Sequence, residues 1–314
     1  MKFNYSNLES FYILLDKNPS EIEEFIVSMN FLNPFSLILP ASFIYEQQIN
    51  VHKINKSPYR DTVNSYAEHM NFFEWISGKE GTTIKNKDNY YPILRIDLNK
   101  YIRDRDNVAE TTAKNISNII SDDETLTEIL NYAISEILRN IPEHSECFES
   151  WVCVQKWDHP NYFEIEAAIV DYGIGIITNT KKKYPNKSTE DLLKKVMSPG
   201  FTTSNYVIRS YESDYYQNSG FGLYVVSNIC KRLNGEFVIL SNNSLYKLTS
   251  KETLYKNNKF DFPGTAIKMK LQIPKNNLNT KELINSIVEE GEKIAEQEND
   301  TIKVASKRSK SLKL

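Results

Sequence analysis

The stretch that most constrains this chain is the apolar pattern from Leu126 to Ile141. Leu126, Ile129, Leu130, Ala133, Ile134, Ile137, Leu138 and Ile141 recur at three- and four-residue intervals. That period predicts a helix of about four turns with one face turned to a core. The same period sets Glu128, Tyr132, Glu136 and Asn140 on a second stripe, each about one turn beyond the last. An acid and an amide four residues apart usually only solvate a helix, so the pair gains meaning only through the motifs C-terminal to it. Pro142 comes two residues after Asn140, where it removes a helical hydrogen bond and is expected to bend or end the helix.

Downstream, Phe163-Glu-Ile-Glu-Ala-Ala-Ile-Val-Asp171 reads as a half-buried strand and runs into Tyr172-Gly173-Ile-Gly175. Gly173 and Gly175 permit positive φ and close approach of backbone to a flat or phosphate-bearing ligand. Asp171 offers a carboxylate that can accept from an exocyclic amine, and Tyr172 is expected to face outward. Next comes Ser198-Pro-Gly-Phe-Thr-Thr-Ser204, then a polar stretch without clear periodicity. Ser219-Gly220-Phe221-Gly222-Leu223 then opens an amphipathic helix reaching Leu233. A glycine-containing loop at a helix start points unpaired N–H groups and a positive dipole end outward, an arrangement suited to phosphate. Last, Phe262-Pro-Gly264-Thr265 leads into an alternating strand ending near Ile273.

These elements in this order resemble the GHKL ATP-binding family, which includes gyrase B, MutL, the histidine-kinase catalytic domain and the anti-sigma-factor kinases. Glu136-x-x-x-Asn140 is similar to its N box, Asp171-x-Gly173-x-Gly175 to its G1 box and Gly220-Phe221-Gly222-Leu223 to its G2 box. Gly264-Thr265 resembles the closing Gly-Thr, and Pro199 to Ser204 the hinge of an ATP lid; Asn218-Ser219 stands where many members carry another glycine. The resemblance covers residues 105–277. It implies an α+β fold, a two-layer α/β sandwich ATPase domain of the GHKL type, preceded by a smaller α/β domain. It also implies ATP and Mg²⁺ as cofactors. Asn140 would be the Mg²⁺ ligand through its carbonyl oxygen, a hard donor for a hard cation. Asp171 would read the adenine amino group, supported by Thr265, with Gly173 and Gly175 against base and sugar. Gly220, Phe221, Gly222 and Leu223 would form the phosphate loop. Glu136 would be the general base on the attacking water, or else a partner that orients Asn140 or Arg139. His144 either approaches phosphate or is a satisfied structural histidine. Thr202, Thr203 and Ser204 either touch the terminal phosphate or merely make a polar lid.

Residues 1–104 read as a separate N-terminal segment. A helix is expected over Asn7–Asn30, another start at Asn33-Pro34, and a short strand over Ile49–Ile54. A helix from Ser57-Pro58 closing at Gly78 and a strand over Tyr90–Leu98 complete it. This helix and strand alternation faintly resembles a STAS domain, without the phosphoacceptor loop of that family, or serves as a dimer-forming layer. No His-Glu-x-x-Thr-Pro helix precedes the ATP-like module, which argues against an autophosphorylating sensor kinase. Residues 278–314 read as a helix over Thr280–Asn299 and then a basic tail, either a solvated end or an interaction tail.

Charge and composition exclude several classes. The formal net charge of −3 over 314 residues gives no general pull toward nucleic acid or an anionic membrane. Three cysteines without Cys-x-x-Cys spacing argue against a disulfide framework and a zinc site. The start lacks a signal-like apolar core, and no run approaches the roughly 18 residues of a membrane span, so a cytoplasmic protein is expected. Two enzyme classes and one non-enzymatic class stay open: an ATPase whose lid closure switches a protein partner or a homodimer interface, an anti-sigma-type serine/threonine kinase, and a non-hydrolysing ATP sensor. The fused N-terminal segment and the missing phosphoacceptor favour the switch.

Overall fold

The computed structural model describes residues 33–49, 61–83, 88–99, 108–203, 219–298 and 305. The fold is α+β. Among these residues, helices α1 (Pro34–Glu46), α2 (Asp61–His69) and α3 (Phe72–Ile76) precede strand β1 (Tyr90–Asp97). Helices α4 (Val108–Ile120) and α5 (Glu124–His144) lead into β2 (Glu149–Asp158) and β3 (Tyr162–Asp171). Then come α6 (Ile176–Lys183), α7 (Thr189–Val196), α8 (Gly222–Arg232), β4 (Glu236–Thr249), β5 (Thr253–Pro274) and α9 (Thr280–Glu298). The five strands form one antiparallel sheet in the order β1-β2-β3-β5-β4.

The sheet is buried on both faces, and the sequence says why. Strands β2 and β3 carry unbroken apolar runs, so side chains that alternate across the pleat supply two apolar faces. Val152, Val154, Ala167, Ile169, Ile239 and Ile267 join the core built with α4, α5 and α8. Trp151, Cys153, Ala168, Val170, Val238 and Ala266 join a second core with Phe35, Leu37 and Ile38 of α1 and with Phe72 and Trp75 of α3. The stretches of 1–104 that are described therefore lie on this sheet: α1–α3 cover one face, and β1 is its edge strand, with Arg95 opposite Trp151. Helical layers flank both faces of the sheet, one from α4, α5 and α8 and the other from α1 and α3.

Local chemistry sets the element ends. Asn33 caps α1 by accepting from Ser36 N at 2.8 Å, and Ser36 Oγ accepts from Asn33 N at 2.8 Å, a reciprocal capping box with Pro34 in the first turn. The single helix expected up to Gly78 is broken between α2 and α3. Asn71 there takes a left-handed φ of 59° and donates its side-chain amide to Thr82 O at 2.8 Å. Pairing of β1 with β2 shifts between Tyr91 and Leu94, around Pro92, which has no N–H to give. Freed from the ladder, Ile93 turns its N–H to Met70 O and its carbonyl to the Trp75 indole.

Helix α5 is longer than its apolar pattern suggests, at 21 residues. Asp123 caps it by accepting from Leu126 N, and it runs past Pro142 to His144. Pro142 neither ends the helix there nor stops the next turn, since Ser145 N still bonds Ile141 O at 2.8 Å. All eight positions of the apolar stripe are buried, at roughly 1.5–3 kcal/mol for each large aliphatic side chain. The second stripe is not solvated either: Tyr132 and Glu136 are buried, and Glu128 accepts from Thr280 of α9. Strand β5 begins at Thr253, well before Phe262, and forms a long ribbon with β4 beyond the end of β3. No described helix is long and apolar enough to cross a membrane. The readings over Asn7–Asn30, Ile49–Ile54 and Ser57-Pro58, and most of the basic tail, lie outside the described residues.

Candidate functional site

An open cleft of about 990 Å³, mouth included, lies where the end of β3 meets α5 and the start of α8. Glu136, Asn140, Asp171, Thr202, Thr203, Gly220, Gly222, Leu223 and Thr265 all line it. Residues more than a hundred positions apart in the chain thus share one concavity.

Helix α5 supplies one wall. Three- and four-residue spacing brings Glu136, Arg139, Asn140 and Glu143 to the cleft side, although the helix is buried almost all round. Arg139 lies between two carboxylates, 3.8 Å from Glu136 and 3.6 Å from Glu143. Burial pushes the Glu136 carboxyl up from its usual range; Arg139 opposes that shift and Glu143 adds to it. Asn140 keeps its side-chain Nδ2 buried without a hydrogen-bond partner. Burial pulls His144 down, against the pull of Glu143, and its Nδ1 lies 3.4 Å from Thr203 Oγ1.

The floor is the paired ends of β3 and β5, where Asp171 stands opposite Thr265. Asp171 is buried, and its carboxyl is pushed up to about 7 by that burial, against the backbone N–H groups of Gly173 and Thr265 that favour the anion. The Gly173 N–H donates to Asp171 Oδ1 at 2.9 Å. Thr265 Oγ1 and Ser241 Oγ both accept from Ile176 N, at 3.2 and 2.9 Å. The first turn of α6 is thereby tied to the strand ends beside Asp171.

The glycines act through packing. Gly173 does not line the cleft; a Cβ there would run into Ser145 O at the end of α5. Gly175 also lies off the cleft, at φ 79° against Asn242, Ser241 and Gly264 O. Gly222 is different: a Cβ on it would strike the Glu136 carboxylate, so the start of α8 and the acid are in direct contact. Gly220, at φ 74°, accepts from Gly200 N at 3.1 Å and lies against the Phe201 backbone. Phe221, expected in the phosphate loop, is fully buried and packs toward Gly291 of α9 instead of lining the cleft.

Thr202 and Thr203 reach the rim, where the Thr202 carbonyl accepts from Lys183 Nζ at 3.3 Å and Thr203 Oγ1 accepts from Asn179 Nδ2 at 2.8 Å. Ser204 and the rest of the expected lid up to residue 218 lie outside the described residues. Tyr172 turns inward, not outward: its hydroxyl is 2.7 Å from Ser42 Oγ of α1. Arg139, Glu143, Asn179 and Ser241 are cleft or supporting residues that the sequence motifs did not single out. For Arg139 the signal was there, in acids three residues before and four after it. No family model and no curated protein matches the chain.

Proposed function

We propose that this chain is a Mg²⁺-dependent ATP-binding protein of the GHKL type and an ATPase whose nucleotide state switches an interface with a protein partner or a second copy. The observation that carries this reading is the pairing across one cleft of a buried acceptor, Asp171, with the Glu136–Asn140 pair near the start of α8. Among the described residues Asp171 receives backbone donors only, so an exocyclic amine would complete its hydrogen bonding. At the other end, the unpartnered Asn140 Nδ2 fits a ligand rich in acceptor oxygens.

The donor set also bears on the metal. Described cleft residues include Glu136, Glu143 and Asp171 but only one permanent cation, Arg139, and no lysine. A triphosphate entering such a lining needs added positive charge. No group of three or more His, Cys, Asp or Glu able to hold a metal occurs among the described residues. The cation would be held chiefly by phosphate oxygens and water, with Asn140 as its protein contact, as Mg²⁺ commonly is. When bound, Mg²⁺ would supply charge neutralisation of the phosphates. Glu136 would orient and deprotonate water, held at the start of α8 by its contact with Gly222.

Calorimetric titration with ATP and GTP in the presence of Mg²⁺ tests the reading. Adenine presents an amino donor where guanine presents a carbonyl, so ATP should bind roughly tenfold tighter or more, the usual cost of an unpaired buried polar group being about 1–3 kcal/mol. Equal affinities would end the assignment of Asp171. Phosphate release by the isolated protein separates the ATPase from a kinase, which would transfer phosphate only to a partner hydroxyl.

A further inference from the structure

Gly291 lies inside α9, a helix C-terminal to every motif that suggests nucleotide binding. Glycine weakens a helix interior relative to alanine, and the surroundings of this one supply a reason for it. It is buried, and a Cβ built on it would lie 2.6 Å from Tyr224 Cε1 and 3.2 Å from Phe221 Cε1. Both rings belong to the start of α8. Phe221 is fully buried and stands in sequence between Gly220 and Gly222, the two glycines that line the cleft. The loop thus turns its glycines to the cleft and sends its large side chain back against α9. On the cleft side there is little slack, since a Cβ at Gly222 would strike Glu136 Oε2 of α5. Helix α9 is tied to both of these helices: Arg232 of α8 donates to Ser286 at 2.6 Å and pairs with Glu290, and Thr280 donates to Glu128 of α5.

We infer that Gly291 is a positioning residue for the nucleotide. Its missing side chain lets the Phe221 and Tyr224 rings seat against α9, and that seat sets where the start of α8 stands at the phosphate end of the cleft. The inference rests on the nucleotide reading above and extends it to an element outside the motifs. The first turn of a helix has N–H groups that its own hydrogen-bond ladder leaves over, so a small displacement of α8 changes contacts to phosphate. The other end of the cleft is built differently. Asp171 is held by the pairing of β3 with β5 and by the Gly173 N–H, so the adenine end keeps its geometry when α8 shifts.

The test is calorimetric titration of the full chain with Mg·ATP and with adenosine, for the parent, Gly291→Ala, and Gly291→Ala combined with Tyr224→Leu. Gly291→Ala should weaken Mg·ATP by about tenfold, the worth of one hydrogen bond to a charged group, and adenosine by less than about twofold. Tyr224→Leu removes the ring atom nearest the added methyl, so the combined variant should return to within about threefold of the parent for Mg·ATP, as neighbours in contact couple. Equal weakening of both ligands in Gly291→Ala would make Gly291 a packing residue and overturn the inference. So would no change in either, or a selective loss that Tyr224→Leu does not relieve. Where adenosine alone does not register, relief of the ATP loss by Tyr224→Leu decides. If Gly291→Ala does not fold, as judged by its thermal melt, Phe221→Leu shortens the same contact from the loop side. A loss confined to Mg·ATP then supports the inference, and an equal loss or none overturns it. A parent that binds neither ligand defeats the nucleotide reading itself, and this inference with it. A parent that binds Mg·ATP with every variant unchanged defeats this inference alone.

Discussion

Glu166 and Asp171 lie on the same strand, five residues apart, so the pleat sends them to opposite faces of the sheet. Both are buried. On the closed face, Glu166 accepts from Phe35 N in the first turn of α1 at 3.2 Å and lies 3.5 Å from Lys268, which also contacts Glu236 at 2.9 Å. A cation and a helix N-terminus meet its charge within the fold. On the cleft face, Asp171 has backbone donors only, and no lysine or arginine among the described residues pairs with it. One carboxylate is a structural brace; the other retains an unmet need facing open space. Glu136 is a third case, with a cation beside it and a cavity in front.

That third case carries the largest expected effect. Glu136→Ala should slow phosphate release by roughly 10²–10⁴-fold, the usual range for losing a general base, while ATP affinity stays within about threefold. Asn140→Ala should do the reverse in kind, weakening Mg·ATP binding itself. Rapid-quench phosphate assays beside calorimetry separate the two, and a Glu136 variant that loses binding would class this acid with Glu166. For Glu166→Ala the contrast runs the other way. It leaves Lys268 buried with half its partners and should cost about 3 kcal/mol of stability, the low end for a broken buried pair because Glu236 remains. Urea unfolding would register that loss, with nucleotide affinity unmoved.

The two faces were not equally legible from sequence. The α5 stripe could be read because eight apolar positions repeat one period, and the Asp171 and Gly222 motifs because their spacing is local. The closed face was hidden in plain composition. Trp151-Val-Cys-Val154 and Ala167-Ala-Ile-Val170 are apolar at every position, which demands cover on both sides, but only tertiary contact shows that α1–α3 provide it. The glycines misled for a related reason. A motif shows where backbone freedom is required and not which atom requires it, and at Gly173 that atom is Ser145 O, not a ligand. Ser241 and Asn179 carry no local signal, since a strand serine and a helix asparagine become cleft supports only through pairing of β4 with β5 and the docking of α6.

Asp171 gives a smaller effect with a sign that depends on pH. Its folded-state carboxyl is raised to about 7 from an ordinary value near 3.8, so between those values the native protein holds a proton the unfolded chain has released. The resulting stabilisation is complete below about pH 4 and is lost as pH rises through about 7. Asp171→Asn cannot ionise, so thermal melts of the nucleotide-free proteins should show the variant gaining on the parent as pH climbs from 5 to 8. The same substitution should erase the preference for ATP over GTP, a change of about 1–3 kcal/mol. A melting difference that stays flat with pH would mean that the cleft meets this charge as fully as the closed face meets Glu166.

The smallest effect is expected where the two faces touch. Tyr172 comes directly after Asp171, but its hydroxyl crosses to Ser42 of α1 at 2.7 Å and its ring packs 5.7 Å from that of Phe262. Tyr172→Phe removes one hydrogen bond and keeps the ring. Ser42 still donates to Ile38 O at 2.7 Å, so no new orphan is left on α1. The loss should be about 0.5–1.5 kcal/mol in urea unfolding, the net worth of an ordinary hydrogen bond, with ATP affinity changed by less than about twofold. The backbone donors that fix Asp171 come from Gly173 and Thr265, and neither depends on the tyrosine hydroxyl. A tenfold loss of ATP affinity at unchanged stability would break the comparison at its root, because the brace on the closed face would then be setting the geometry of the acceptor in the cleft.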